Sequence, residues 1–255
     1  MVRRISIAAF IALLLAPLQM VLASSDDALD KYLQHIAASL PEKAAETLKQ
    51  IDGTPRRLLA ARAYLRARDE LHARWSWSTD EIHAHTRSPE YRALLDETDQ
   101  VRTRFEAQNP GYTLYANTEV RSLELQVTRF NTNKSVARVA ASLHEQALAE
   151  IGKPAYGSPE RADSVQHFKQ FLTRWRPPTA APLAAPGISR HGQLRAIDFQ
   201  IMKDGAVVAP TDTGTVKRNW DAPGWTKKLQ VAVAGSNFRG PLQSPYEPWH
   251  YEYDP

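Results

Sequence analysis

The sequence predicts an α+β chain: a helical first half, then a second half with a small antiparallel sheet flanked by helices. Residues Asp26 to Gln108 are rich in Ala, Leu, Arg and Glu, with Gly53 their lone glycine and Pro41, Pro55 and Pro89 each near a plausible helix start. Asn109-Pro110-Gly111 gives a strong turn signal. Beyond it the texture changes to short apolar or alternating runs, the signature of strands, with stretches of helical spacing between them.

The elements follow in order. Residues 1–23 read as a cleavable signal peptide: a basic start (Arg3, Arg4), an apolar stretch from Ile5 to about Leu15, and Val21-Leu22-Ala23 ahead of Ser24-Ser25, with small residues suited to signal peptidase. Pro17 and Gln19 interrupt the run short of the roughly 20 apolar residues a spanning helix needs, so no stable membrane span is expected after cleavage. Residues 24–110 form an all-helical segment of three or four helices. Ser39-Leu40-Pro41-Glu42 and Ser88-Pro89-Glu90 place Ser near the cap and Pro in the first turn, while Asp52-Gly53-Thr54-Pro55 stops one helix and starts the next. In residues 111–255, strands are expected at Tyr112–Ala116, Leu194–Met202 and Leu229–Ala234, and helices at Val136–Ile151 and Ser164–Trp175. The Pro/Ala-rich stretch from Pro177 to Pro186 connects them in extended form.

Composition narrows the function. The 255 residues, 43% hydrophobic and 24% charged, belong to an ordinary globular chain, which sets aside fibres, global disorder and polytopic membrane proteins. The formal charge of +4 falls to +2 without Arg3 and Arg4, too small an excess to argue for nucleic acid. With 0 Cys there is no disulfide framework, thiolate metal site or cysteine nucleophile, so any metal must rest on His and carboxylates. A predicted signal and a cysteine-free chain suit a bacterial periplasm or cell envelope. No Gly-rich phosphate loop and no G-x-S-x-G elbow is present.

Two clusters in the second half carry chemistry: Ser189-Arg190-His191-Gly192-Gln193-Leu194-Arg195-Ala196-Ile197-Asp198 and Tyr246-Glu247-Pro248-Trp249-His250. A catalytic zinc takes three protein ligands and keeps one position open, and His, His and Asp are suitable donors. If the second cluster is extended, a carboxylate three residues from a ligand imidazole can reach a water on the metal and act as general base. Spacing by itself leaves metal binding and coincidence both open. His83 and His85, two apart on an expected helix, point to different faces, and His35, His72, His144 and His167 each stand alone.

These clusters resemble the S-x-H-x-x-x-x-A-x-D and E-x-W-H motifs of the zinc D-alanyl-D-alanine carboxypeptidases, the VanY-like and VanX-like peptidases of cell-wall metabolism. Ser189, His191, Ala196, Asp198, Glu247, Trp249 and His250 match. Thr118-Glu119-Val120-Arg121-Ser122-Leu123-Glu124-Leu125-Gln126 resembles a weakened form of the family's S-G-Y-R-S-x-x-x-Q segment, and the likeness covers roughly Gly111 to Tyr253. It implies one Zn2+ per chain on His191, Asp198 and His250, with Glu247 as catalytic base and Arg121 binding substrate and stabilising the oxyanion. Ser189, Gln126 and Trp249 are further expected substrate contacts. Ser189 is also read as a cap of the His191 loop and Trp249 as core. Three departures bear on substrate preference: Leu194 where the family has Gly, Arg190 for a frequent acidic or polar residue, and Glu119-Val120 for Gly-Tyr.

The resemblance implies a peptidoglycan stem peptide or muropeptide as substrate, cleaved as carboxypeptidase or cross-link endopeptidase. The competing reading is a non-catalytic zinc-binding interaction module of the same fold. Nothing in the residues sets the scissile bond, the oligomeric state or the role of residues 24–110.

Overall fold

The computed structural model describes residues 26–154, 156–178, 183–193, 195–243 and 245–255. The expected signal peptide and Leu194 lie outside them. The chain is mixed α+β. Helices run over residues 26–37 (α1), Glu42–Lys49 (α2), Gly53–Ala67 (α3), Glu70–Ala73 (α4), Thr79–His85 (α5) and Pro89–Gln108 (α6). Strand β1 (Thr113–Asn117) is followed by α7 (Leu123–Thr132), α8 (Lys134–Ile151) and α9 (Ala162–Arg174). Then come β2 (Ala196–Lys203), β3 (Ala206–Ala209), α10 (Trp225–Val233), β4 (Phe238–Arg239), β5 (Leu242–Gln243), β6 (Tyr246–Glu247) and β7 (His250–Tyr253). No helix among the described residues is long and apolar enough to cross a membrane.

Contacts divide the chain into two units that interleave along the sequence. One comprises the described residues through Asp69 together with Arg129–Ala185; the other comprises Glu70–Thr128 and Pro186–Pro255. This differs from consecutive blocks meeting at residue 110, because composition tracks secondary structure whereas contacts follow the buried faces. α6 belongs with the sheet: Leu94, Val101 and Phe105 join its core. α8 and α9 pack instead on α3.

The first unit is helical. Leu58, Ala61 and Tyr64 of α3 are buried together with Val136, Ala140 and Leu143 of α8 and Phe168 and Leu172 of α9, the i, i+3, i+4 stripes of amphipathic helices. Arg62 closes the end of α9 by donating from Nε and Nη2 to the Trp175 carbonyl at 3.1 and 2.9 Å.

In the second unit the five-stranded antiparallel sheet runs in the order β1-β2-β7-β4, with β3 also pairing β2, and β5 and β6 form a separate hairpin. Strand alternation sends Leu114, Ile197, Phe199, Ile201, Tyr251 and Tyr253 into a core shared with α6 and α10. Ser88 caps α6 through its hydroxyl, which accepts from Tyr91 N at 3.1 Å, with Pro89 in the first turn as the sequence predicts. Ser39 does not cap α2: Pro41 holds that position, and the Ser39 hydroxyl donates to Ile36 O at 2.7 Å.

Two expectations are corrected. The segment expected as a strand at Leu229–Ala234 is the last part of helix α10 with its C-cap, because Trp225, Leu229, Ala232 and Val233 are buried at helical spacing. The first helical stretch holds six helical segments where three or four were expected, with breaks near Arg68 and between Arg74 and Ser78.

Candidate metal centre

The sheet register builds the site. Asp198 on β2 pairs directly with His250 on β7, and on its other side with Asn117 on β1, so the three lie in one row. Directly paired residues present their side chains on one face. Ile197, Phe199 and Tyr251, each next in sequence to a row member, point the other way into the core. The pleat therefore puts an imidazole beside a carboxylate, and His250 Nδ1 lies 3.0 Å from Asp198 Oδ1.

The third donor comes from a short 3-10 turn, Arg190–Gly192, ahead of β2. His191 Nε2 lies 3.2 Å from His250 Nδ1 and 3.4 Å from Asp198 Oδ2. One ligand atom from each of the three residues falls within 4.8 Å of the others, with Asp198 and His250 buried and His191 half-buried. A tetrahedral ion with ligand bonds of about 2.0–2.1 Å needs donors about 3.3–3.4 Å apart, so these separations fit one. The residues can hold a divalent cation. Burial pushes the Asp198 carboxyl up, but hydrogen bonds and charge from His191 and His250 outweigh it and hold the group below the usual range.

Glu247 and Arg121 adjoin the donors. Glu247 stands half-buried on β6. Burial raises its pKa above the usual carboxylate value and the Asp198 charge adds to this, while His250, His191 and Arg121 pull it down. Arg121 is anchored by its backbone N–H, which donates to His191 O at 3.2 Å, and its Nη2 lies 3.4 Å from Asp198 Oδ2. Its ion pair is with a donor of the cluster.

A strut that spacing did not reveal holds the His191 turn. Residues 75–77 bridge the turn and the Arg121 loop. Ser76 N–H donates to Gly187 O at 2.7 Å, Trp77 N–H to Gly192 O at 2.8 Å, and Leu123 N–H to Trp77 O at 2.9 Å. Gln193 Nε2 donates to Trp75 O at 2.6 Å. Gly192 is needed here: a Cβ on it would lie 2.2 Å from Ser76 Oγ and 2.7 Å from Gln126 Nε2.

The remaining expected contacts fare differently. Gln126, expected at substrate, has its carboxamide engaged inside the fold: Nε2 donates to Arg121 O at 2.7 Å, and Oε1 accepts from Gly187 N at 3.1 Å. It is a clamp between the Arg121 loop and the segment leading to His191. Trp249, also expected at substrate, is 3% exposed and lies in the sheet core, its ring 5.9 Å from Trp220, because it precedes His250 and faces the opposite side. Ser189 is half-buried and its side chain does not cap the turn; its carbonyl accepts from Ser76 Oγ at 3.1 Å. His85 stacks on Trp77 at 3.8 Å, outside the donor cluster.

Nothing in the spacing signals that Ser76 meets a segment 113 residues away. The available hints are Gly187 and Gly192 flanking Ser189 and His191, glycines that two tight approaches require. No protein-family model matches the chain, and no curated protein or solved structure matches it significantly.

Proposed function

We propose that this chain is an exported zinc metallopeptidase that hydrolyses D-amino-acid-containing amide bonds of peptidoglycan stem peptides. The observation that carries the reading is the convergence of His191, Asp198 and His250 to separations that suit one tetrahedral ion, beside the carboxyl of raised pKa on Glu247. The motif likeness supplies the substrate class.

His191, Asp198 and His250 would hold the ion. Bound zinc supplies Lewis acidity toward the amide carbonyl and makes water a stronger acid. Glu247, ionised, takes a proton from the attacking water as its oxygen bonds to the carbonyl carbon. It returns that proton to the amine nitrogen as the C–N bond breaks. Arg121 presents a permanently charged, planar fork to the oxygen on which negative charge develops, or to a free substrate carboxylate. Its contact with Asp198 keeps the guanidinium at the cluster before substrate arrives.

Metal content by mass spectrometry on the mature protein and on His191→Ala, paired with muropeptide digestion by wild type and Glu247→Ala, tests this. About one zinc per chain, lost in His191→Ala, with product release abolished in Glu247→Ala, is the expected result, and the product masses name the bond. Zinc without cleavage of any muropeptide favours a non-catalytic zinc-binding module; no zinc removes the reading.

A further inference from the structure

The row that carries the donors continues on the same face of the sheet. Tyr115 on β1 pairs with Gln200 on β2, each two residues from Asn117 and Asp198. Residues two apart on a strand share a face and lie about 6.7 Å apart. Phe199 and Ala116, the pair between these positions, face the core, which Phe199 fills and Ala116 packs against, and Leu114 before Tyr115 fills it too. Tyr115 thus stands beside the donor row on the face opposite the core. Adding one strand spacing puts its Cα about 8 Å from that of Asp198, or two to three residues along an extended peptide.

Tyr115 is 49% exposed in mid-strand. Four large hydrophobic side chains are exposed among the described residues, and two of them are aromatic: Tyr115 and Tyr246, the residue before Glu247. Tyr246 has its hydroxyl bonded to Asp221 Oδ1 at 3.2 Å. The Tyr115 hydroxyl has no hydrogen-bond partner among the described residues. Its neighbour Gln200 is uncharged and reaches Thr211 Oγ1 at 3.4 Å. A flat, apolar ring with a polar tip suits an uncharged stretch of peptide and leaves the charged end to Arg121.

Resting on the peptidase reading, we infer that Tyr115 is a specificity-determining substrate contact whose ring carries the part of the peptide two to three residues from the scissile amide. Substrates too short to reach it forgo this contact.

Zinc-loaded wild type, Tyr115→Ala and Tyr115→Phe, with equal metal content, are compared on a synthetic pentapeptide ending in D-Ala-D-Ala. A cross-linked muropeptide replaces it if wild type leaves the pentapeptide intact. Loss of the ring raises KM about tenfold, the scale of one aromatic contact with its buried area, with kcat within twofold, and Tyr115→Phe stays within twofold of wild type. An unchanged KM in Tyr115→Ala, a fall confined to kcat, or equal damage in Tyr115→Phe overturns the inference while leaving the peptidase reading in place. Failure of wild type to cleave either substrate overturns both. Should Tyr115→Ala melt below wild type, Tyr115→Thr, which keeps strand propensity, takes its place.

Discussion

Asp198 and His250 face each other across adjacent antiparallel strands, with Oδ1 and Nδ1 3.0 Å apart. The pairing makes the site partly a property of the sheet, because a one-residue slip of either strand would turn its own group into the core and part the pair. Two of the three donors are thereby aligned before any ion arrives, and His191 closes the set.

Metal and folding stability are therefore linked. Zinc at 100 times its dissociation constant should stabilise the folded protein by about 2.7 kcal/mol, read as a rise in melting temperature. Asp198→Asn should abolish the rise, since an amide is a poor ligand in place of a carboxylate. A melt indifferent to zinc in the wild type would count against a site at these residues.

On the peptidase reading, Glu247 should set the acid side of the activity profile. Its carboxyl is raised by burial, so it stays protonated to higher pH than an exposed glutamate, and a protonated group cannot accept the proton of water. Activity should fall as pH drops through the pKa that Glu247 has beside the bound ion and rise as pH passes it. Glu247→Gln should keep zinc and lose about a hundredfold or more in kcat. A variant retaining the wild-type profile would remove Glu247 from the chemistry.

Arg121 lowers the Glu247 pKa by its positive charge. In Arg121→Ala the carboxyl should hold its proton to still higher pH, moving the acid limb upward while kcat/KM falls. Arg121→Lys keeps the charge, so it should restore the limb but not the full rate, because a point charge lacks the planar fork. Superimposable limbs in wild type and Arg121→Ala would separate this residue from Glu247.

Gly192 and Ser76 should couple. Gly192→Ala drives a methyl into Ser76 Oγ and Cβ, at 2.2 and 2.3 Å in the present geometry, and should cost about 1–3 kcal/mol by overpacking. Removing the Ser76 side chain with Ser76→Gly makes room, so the double variant should be more stable than the sum of the two single changes predicts. Denaturant melts of the four proteins measure the coupling; strict additivity would show that the strut does not constrain the turn.

Trp249→Phe, by contrast, should destabilise the fold without raising KM, because the indole is buried against Trp220. Urea unfolding beside steady-state kinetics distinguishes this from a substrate contact, for which KM would rise at unchanged stability.

Much of the local structure was legible in the residues. Ser88-Pro89 announces the start of α6, the spacing of Val136, Ala140 and Leu143 announces α8, and Tyr112–Ala116 comes within one residue of β1 at each end. These features depend on neighbours a few positions away, which is the range over which caps, prolines and hydrophobic periodicity act. The run at Leu229–Ala234 misled because Val231, apolar in sequence, is exposed on a helix whose buried stripe begins further back at Trp225.

The available donors are legible in the residues alone: with 0 Cys, a metal site must rest on His and carboxylates, and the motif likeness points to His191, Asp198 and His250. What those residues meet depends on the packed fold. The Asp198–His250 contact spans 52 positions and the Arg121–Asp198 contact 77, and strand register and loop anchoring set both. The same register turned Trp249 inward to the core and left Tyr115 exposed, and the anchoring loops drew Gln126 into the fold. The physical reason is one of range. Periodicity and capping act between near neighbours, whereas the face a side chain occupies depends on which distant strand lies beside it.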